Sequence, residues 1–357
     1  MQATVDIAKT DDRVALDVII EVFLTRQLAK SAAMSPYYQD LWSEVARLIR
    51  SGGKRLRSQV TILSYCMFGG QEIEAILPAA AAQELLHLGM LVHDDIIDRD
   101  YTRYGVDNIA GGYNKIYDRL VSDKTDRLHY AHSAALLAGD LLLSEAYILM
   151  AESKVDARKI LDIQKLLGEG IFEVIGGELM DTESAFREIG AVAPEMVALY
   201  KTASYTFTLP MLIGAQLANV SVADQMHVRE FGRNLGIAFQ LRDDIIGVFG
   251  DEAETGKTTT GDVREGKRTY MIEQFCLLAS EQQRVLFDRY FGDHSISTDE
   301  VSRIRELLLA SGALEKTEQS IVNYEAKARG ALKELTIDPT YLAKLNDLIL
   351  IATKRAK

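Results

Sequence analysis

Three carboxylates close one of the most apolar stretches of the chain, where LLHLGMLV runs into His93-Asp94-Asp95-Ile96-Ile97-Asp98. Asp94 and Asp98 are four residues apart, so on a helix they share a face, with Asp95 beside them. Carboxylates this close repel one another unless cations neutralise them, and near a helix C-terminus they also oppose the macrodipole. A hard divalent ion such as Mg²⁺ accepts such oxygens, keeps several waters and fills its shell with phosphate oxygens. The plain alternative is a solvated acidic helix end. A second pair, Asp243-Asp244, closes another apolar stretch in FQLRDDIIG and is followed by Asp251 and a charged, glycine-rich segment. Two pairs set in apolar helices could hold several Mg²⁺ ions, which would clamp a diphosphate and neutralise it as a leaving group.

Cations accompany both pairs. Gly52-Gly53-Lys54-Arg55-Leu56-Arg57 joins two helical stretches. Its glycines let backbone approach a ligand, and the free N–H groups of a helix start suit an oxyanion. Positive charge there disfavours the helix itself, which a bound anion would offset; a solvated basic turn is the alternative. Arg99 and Arg103 follow the first acidic motif, and Gly256-Lys257 and Gly266-Lys267-Arg268 follow the second. Neither Gly-Lys pair has the spacing of a nucleotide-binding P-loop. His87 lies seven residues before Asp94, two turns back on the same face. A lone histidine is more often a packing residue, but this position suits an anion ligand.

The elements that must carry these groups read as helices. Leu16 to Leu28 and Leu41 to Ile49 have helical apolar spacing, and Gly52-Gly53 ends the second. Arg57 to Phe68 and Ala75 to Ile97 read as buried helices, followed by Tyr130 to Ala151, Ala157 to Leu179, Ala193 to Leu217 and Ala223 to Phe249. Residues 105–128 are polar and read as a loop with at most a short helix. After the charged loop DEAETGKTTTGDVREGK, Thr269 to Lys357 is helical again. With no strand periodicity, repeat or linker, the chain predicts one all-α domain over residues 1–357, a multi-helix bundle. Only 5 prolines interrupt it, which favours long helices. A net charge of −12 argues against nucleic acid and requires an anionic substrate to find a locally basic site or bound cations. Cys66 and Cys276 read as reduced core thiols. No stretch reaches the roughly 18 apolar residues of a membrane span, and the N-terminus lacks a signal-peptide core. A cytoplasmic protein is expected.

The ordered set GGKRLR, ELLHLGMLVHDDIID, Ala138-Gly139-Asp140, Gly177-Glu178 with Asp181, Lys201-Thr202-Ala203, FQLRDD and GDVREGKRT resembles the trans-polyprenyl diphosphate synthase family from about Gly52 to Arg268. The resemblance implies an all-α bundle around a deep central cavity, of isoprenoid synthase type and usually a homodimer. It implies condensation of isopentenyl diphosphate with an allylic diphosphate to a geranylgeranyl or longer product. Asp94, Asp95, Asp98, Asp243 and Asp244 would bind Mg²⁺ and the allylic diphosphate. Gly53, Lys54, Arg57 and His87 would bind isopentenyl diphosphate. Arg103, Lys201, Lys257 and Lys267 would hold the allylic diphosphate, and Thr202 and Gln240 would lie near the scissile carbon.

The chain departs from that pattern at three positions. Tyr104 replaces a second arginine that helps hold isopentenyl diphosphate, which weakens that site unless Arg55 or Arg99 offsets it. Gly247 stands where many members have a third aspartate, for which Asp251 could serve. Ser58 stands where proline is common, with little expected effect. Chain length in the family is set one turn before the first motif, at Gly89 and Met90 here. Gly89 is expected to leave the cavity open, with Ala134, Ala135 and Phe172 as a deeper floor. The alternatives are a class I terpene cyclase-like enzyme, disfavoured by GGKRLR and His87, and a non-catalytic subunit of a hetero-oligomeric synthase, disfavoured by both retained acidic pairs.

Overall fold

The computed structural model describes residues 10–250, 261–293 and 295–354. They fall into two compact units, the first running to Leu167 and including Ile213–Asn219, the second comprising Gly168–Leu212 and the chain from Val220 onward.

The first unit contains α1 (Thr10–Ala32), α2 (Pro36–Ser51), α3 (Leu56–Met67), α4 (Ile73–Ile97), a hairpin of β1 (Thr102–Arg103) and β2 (Val106–Asp107), α5 (Ile109–Tyr117), α6 (Lys124–Ala151) and the beginning of α7 (Ala157–Ser184). Helix α2 starts where Ser35 accepts from the Tyr38 N–H and Pro36 fills the first turn, and it stops at Gly52. Small residues let α4 lie close to α6. Ala79 to Ala82 are fully buried, and a Cβ placed on Gly139 would run into the His93 ring. The glycine of Ala138-Gly139-Asp140 is therefore a packing requirement. Phe23 and Trp42 meet edge to face at 6.0 Å in the core below α1 and α2.

One expectation needs correction here. Residues 105–128 are largely structured: β2, then α5 capped by Asn108, then α6, which starts six residues before Tyr130 because Asp123 accepts from the Thr125 and Asp126 N–H groups. Among the described residues there is no clear membrane span: α4 and α6 are long and apolar enough by length and composition alone, but 83% and 50% of their most apolar windows are buried inside the protein. The α4 window is apolar because the helix is core on nearly every side.

Ser58 has more to do than the sequence suggested. Its N–H donates to Glu84 Oε1 (3.1 Å) and its hydroxyl reaches the Ala80 carbonyl (2.8 Å) and the same carboxylate oxygen (3.0 Å). It thereby ties α3 to α4 and supplies donors to a buried acid.

The second unit holds the rest of α7, a short α8 (Pro194–Val197), a π-helix (Ala198–Thr208), α9 (Leu209–Leu217) as far as Leu212, α10 (Val222–Phe249), α11 (Gly261–Glu265), α12 (Tyr270–Leu278), α13 (Glu281–Asp288), α14 (Thr298–Ala310), α15 (Ala313–Lys333) and α16 (Pro339–Thr353). A π-helix of this length is rare. It is gripped where neighbours have no side chain: a Cβ on Gly177 of α7 would strike the Lys201 backbone, and one on Gly236 of α10 would strike Ala203. The apolar core of this unit centres on Phe275, Phe287 and Phe291, whose rings follow one another at 4.4 and 4.6 Å.

Ser58→Ala should destabilise the protein by about 1 kcal/mol, and Ser58→Pro, which also removes the N–H, by up to about 3 kcal/mol, because Glu84 is left buried with fewer donors. Urea melts of the two variants check the ranking.

Candidate active site

Asp94 and Asp95 occupy the last turn of α4 and Asp98 caps it, its N–H donating to the Asp94 carbonyl at 2.8 Å. Asp95 is 2% exposed. The β1–β2 hairpin turns the chain back so that Arg103 reaches it. Nε lies 2.8 Å from Asp95 Oδ1, Nη2 donates to the same oxygen, and Nη2 stands 3.6 Å from Asp94 Oδ2. Asp95 Oδ2 is buried with no hydrogen-bond partner. Burial pushes the Asp95 carboxyl up to about 6 against the opposing pull of Arg103. Among the described residues no three His, Cys, Asp or Glu side chains form a closed metal-ligand group. A buried carboxylate oxygen without a donor, beside a second carboxylate, suits an open Mg²⁺ site whose remaining ligands are water and substrate oxygens.

The basic turn lies in the same unit. Lys54 is exposed, Arg57 is buried, and Gly53 adopts φ +114°, which side chains rarely tolerate. His87 lines a cleft with Gly52, Gly53, Arg55 and Tyr104. Burial, and then Arg57, Arg103 and Arg55, hold its pKa well below the usual range. It is therefore neutral at pH 7 and offers a hydrogen bond rather than a charge. Arg55, the cation expected to offset Tyr104, lines the same cleft while its guanidinium donates to Asp17 (3.2 Å) and the Ile49 carbonyl (3.1 Å). Arg99 is exposed, with φ +58°.

In the second unit, Lys201 and Thr202 project from the π-helix. Lys201 Nζ is 2.6 Å from Asp181 and 3.1 Å from Glu178, so both acids of the Gly177-Glu178…Asp181 motif bear on it. The Thr202 hydroxyl donates to Gln240 Oε1 at 2.5 Å, and Gln240 Nε2 donates to Asp244 Oδ1 at 2.7 Å. This relay orients a carboxylate that burial raises well above its ordinary pKa, with Asp262, Asp243 and Asp181 adding to the rise. Asp262 is the residue the sequence reading missed. Its carboxylate fills the space a Cβ on Gly247 would need. The absent third aspartate therefore has an acid in its place, supplied by α11. The signal was present in GDVREGK, but nothing in the sequence places that segment beside Gly247. Lys267 is 3.2 Å from Glu265 and 4.0 Å from Asp262. Lys257 and Asp251 lie outside the described residues.

The chain-length residues fare differently. Gly89 does not open a cavity; a Cβ there would sit 3.2–3.3 Å from Leu143, Leu142 and the Gly139 carbonyl of α6. Its hydrogen allows close helix packing. Met90 is partly exposed, Ala134 and Ala135 are buried, and Phe172 is 81% exposed in this chain, so it floors nothing within it.

Comparison with known proteins settles the family. The polyprenyl synthetase family model matches residues 39–308. The chain belongs to the polyprenyl synthetase family. This polyprenyl synthetase is 33% identical over 317 residues to the geranylfarnesyl diphosphate synthase of Aeropyrum pernix, covering 87% of this chain and 92% of that one. It is 29% identical to a short chain isoprenyl diphosphate synthase of Methanocaldococcus jannaschii over 76% of this chain and 77% of the other. Its fold superposes on the geranylgeranyl pyrophosphate synthase of Corynebacterium glutamicum, solved with isoprenyl diphosphate and magnesium, with a TM-score of 0.88, 30% identity and coverage of 97% and 98%. The synthetase is thus a prenyltransferase with the all-α isoprenoid synthase fold.

The raised Asp95 gives a pH signature. In the metal-free protein the folded state keeps a proton that the unfolded chain releases above its ordinary value of 3.8, so stability falls as pH rises between about 4 and 6. Asp95→Asn should flatten that slope while lowering stability overall, because it leaves Arg103 without its charged partner, read from urea melts across the pH range.

Proposed function

We propose that this polyprenyl synthetase condenses isopentenyl diphosphate with an allylic diphosphate, head to tail, to give geranylgeranyl diphosphate or a longer polyprenyl diphosphate. The observation that carries the reading is the meeting of Arg103 with Asp94 and Asp95, in a unit that also carries the basic turn and His87. A metal clamp and an anion site occur together, as a two-diphosphate reaction requires. The chain is read as one functional isoprenoid-synthase domain, because the motif set is divided over the two units and neither holds all of it.

Lys54 and Arg57 hold the diphosphate of isopentenyl diphosphate, and neutral His87 donates to it. Arg103, Lys201 and, from the second basic segment, Lys257 and Lys267 hold the allylic diphosphate. Asp94, Asp95, Asp98, Asp243 and Asp244 would hold Mg²⁺, which would supply charge neutralisation for the leaving group. The allylic C–O bond breaks and its electron pair leaves with the diphosphate. The alkene of isopentenyl diphosphate attacks the allylic cation, and the resulting cation loses a proton to the released diphosphate. Thr202 and Gln240 set fixed dipoles near the developing charge, which need no reorganisation as it forms. Apolar walls keep water from quenching the cation. Met90 remains the candidate length determinant.

A homodimer, acting in the cytoplasm, completes the reading. Leu161, Phe172, Ile175 and Leu179 follow one another along one face of α7 and are all more than half exposed, an arrangement suited to a second copy. Light scattering behind size exclusion should give a dimer, and Phe172→Glu with Ile175→Glu should give a monomer.

The deciding experiment supplies Mg²⁺, labelled isopentenyl diphosphate and, in turn, dimethylallyl, geranyl, farnesyl and geranylgeranyl diphosphates, and sizes the products. A metal-dependent ladder ending at twenty carbons or more, absent in Asp94→Ala, is expected. Diphosphate release from the allylic substrate without extension would favour a cyclase-like enzyme instead.

A further inference from the structure

The tip of the β1–β2 hairpin has an unusual residue in an unusual conformation. The strands pair Thr102 with Asp107 and Arg103 with Val106, leaving Tyr104-Gly105 as a two-residue loop. Both loop residues have positive φ, +55° and +76°, as a type I′ turn requires. Asn, Asp or Gly ordinarily fills the first of these positions. A tyrosine there costs about 1–2 kcal/mol against its preferred backbone, and such strain persists only where the surroundings impose it. The hairpin is held firmly at its base. Arg47 Nη2 donates to the Asp107 carbonyl at 2.8 Å, Lys115 pairs with Asp107 at 2.5 Å, and the Asn108 N–H donates to the Tyr101 carbonyl at 3.1 Å.

The turn delivers the Tyr104 ring onto Gly52. A Cβ on Gly52 would sit 2.9 Å from Tyr104 Cγ and 3.2 Å from both Cβ and Cδ1, so the ring lies flush on backbone at the start of the basic turn. It also lines the cleft shared by Gly53 and His87. One residue earlier, the same hairpin sends Arg103 to Asp95. Neighbouring residues of one short hairpin thus touch the basic turn and the first acidic motif.

Building on the proposed function, we propose that Tyr104 is a positioning residue for the isopentenyl diphosphate site. Its ring clamps the Gly52–Arg57 turn in the conformation that presents Lys54 and Arg57, and the hairpin mechanically links that turn to Asp95. The aromatic ring does this, and Gly52 is glycine because the ring occupies the space of its side chain.

The test measures steady-state kinetics and melting temperature for Tyr104→Phe, Tyr104→Asn, Gly52→Ala and the Tyr104→Asn/Gly52→Ala double variant. Asn suits the type I′ turn, so Tyr104→Asn keeps the hairpin and removes only the clamp. It should melt no lower than wild type, raise the KM for isopentenyl diphosphate about tenfold, and leave kcat and the KM for the allylic diphosphate within about threefold. Tyr104→Phe should match wild type. Gly52→Ala should raise the same KM and lower the melting temperature with Tyr104 present, yet do neither further in the Tyr104→Asn background, a non-additivity expected of residues in contact. An unchanged KM in Tyr104→Asn, or equal harm from Gly52→Ala in both backgrounds, would overturn the inference. Wild-type protein that fails to extend any allylic primer would instead overturn the reading of function on which it rests.

Discussion

Holding a carboxylate inside apolar protein costs free energy unless opposite charge comes to meet it, and the first acidic motif is built around that constraint. Asp95 sits at the end of a long helix whose middle turns are buried, and α4 cannot expose it without giving up the apolar packing of those turns. The answering charge is Arg103, only eight residues on, so the chain must reverse within a few residues. That explains the hairpin, the strained loop and the anchoring of its base by Arg47, Lys115 and Asn108. A buried ion pair adds little net stability, but removing one partner alone is strongly destabilising. The acid, the arginine and the turn between them are therefore a single unit.

Among the described residues, the second acidic motif meets the same problem with dipoles. Asp244 is buried too, and its carboxylate accepts from the neutral Gln240 amide, itself fixed by the Thr202 hydroxyl. The relay needs Thr202 at one particular height on its helix. The π-helical winding of Ala198–Thr208 and the bare glycines at 177 and 236 that grip it set that height.

Much of this was legible in the sequence, for identifiable reasons. Apolar runs ending in Asp-Asp pairs announce both the helices and their charge problem, and Gly52-Gly53 announces a helix stop. Helix interiors were therefore read well and helix starts less well: α6 begins at its Asp123 cap, a local signal the apolar periodicity overshadowed. What could not be read depends on which residues meet through space. Gly89 has the same identity whether it borders a cavity or a neighbouring helix, and only the approach of Gly139 and Leu142 decides. Ser58 looks like a lost proline until Glu84 is found beside it. Winding escaped as well, since the apolar pattern of Ala193 to Leu217 fits α and π geometry alike.

Gly247 and Asp262 carry a consequence for descent. The carboxylate of Asp262 lies where a side chain at position 247 would begin, so an acid at 247 is accommodated only if that carboxylate turns away. The two positions compete for one small volume, and a change at either alters what the other can do there. They should therefore evolve as a covarying pair rather than drift independently.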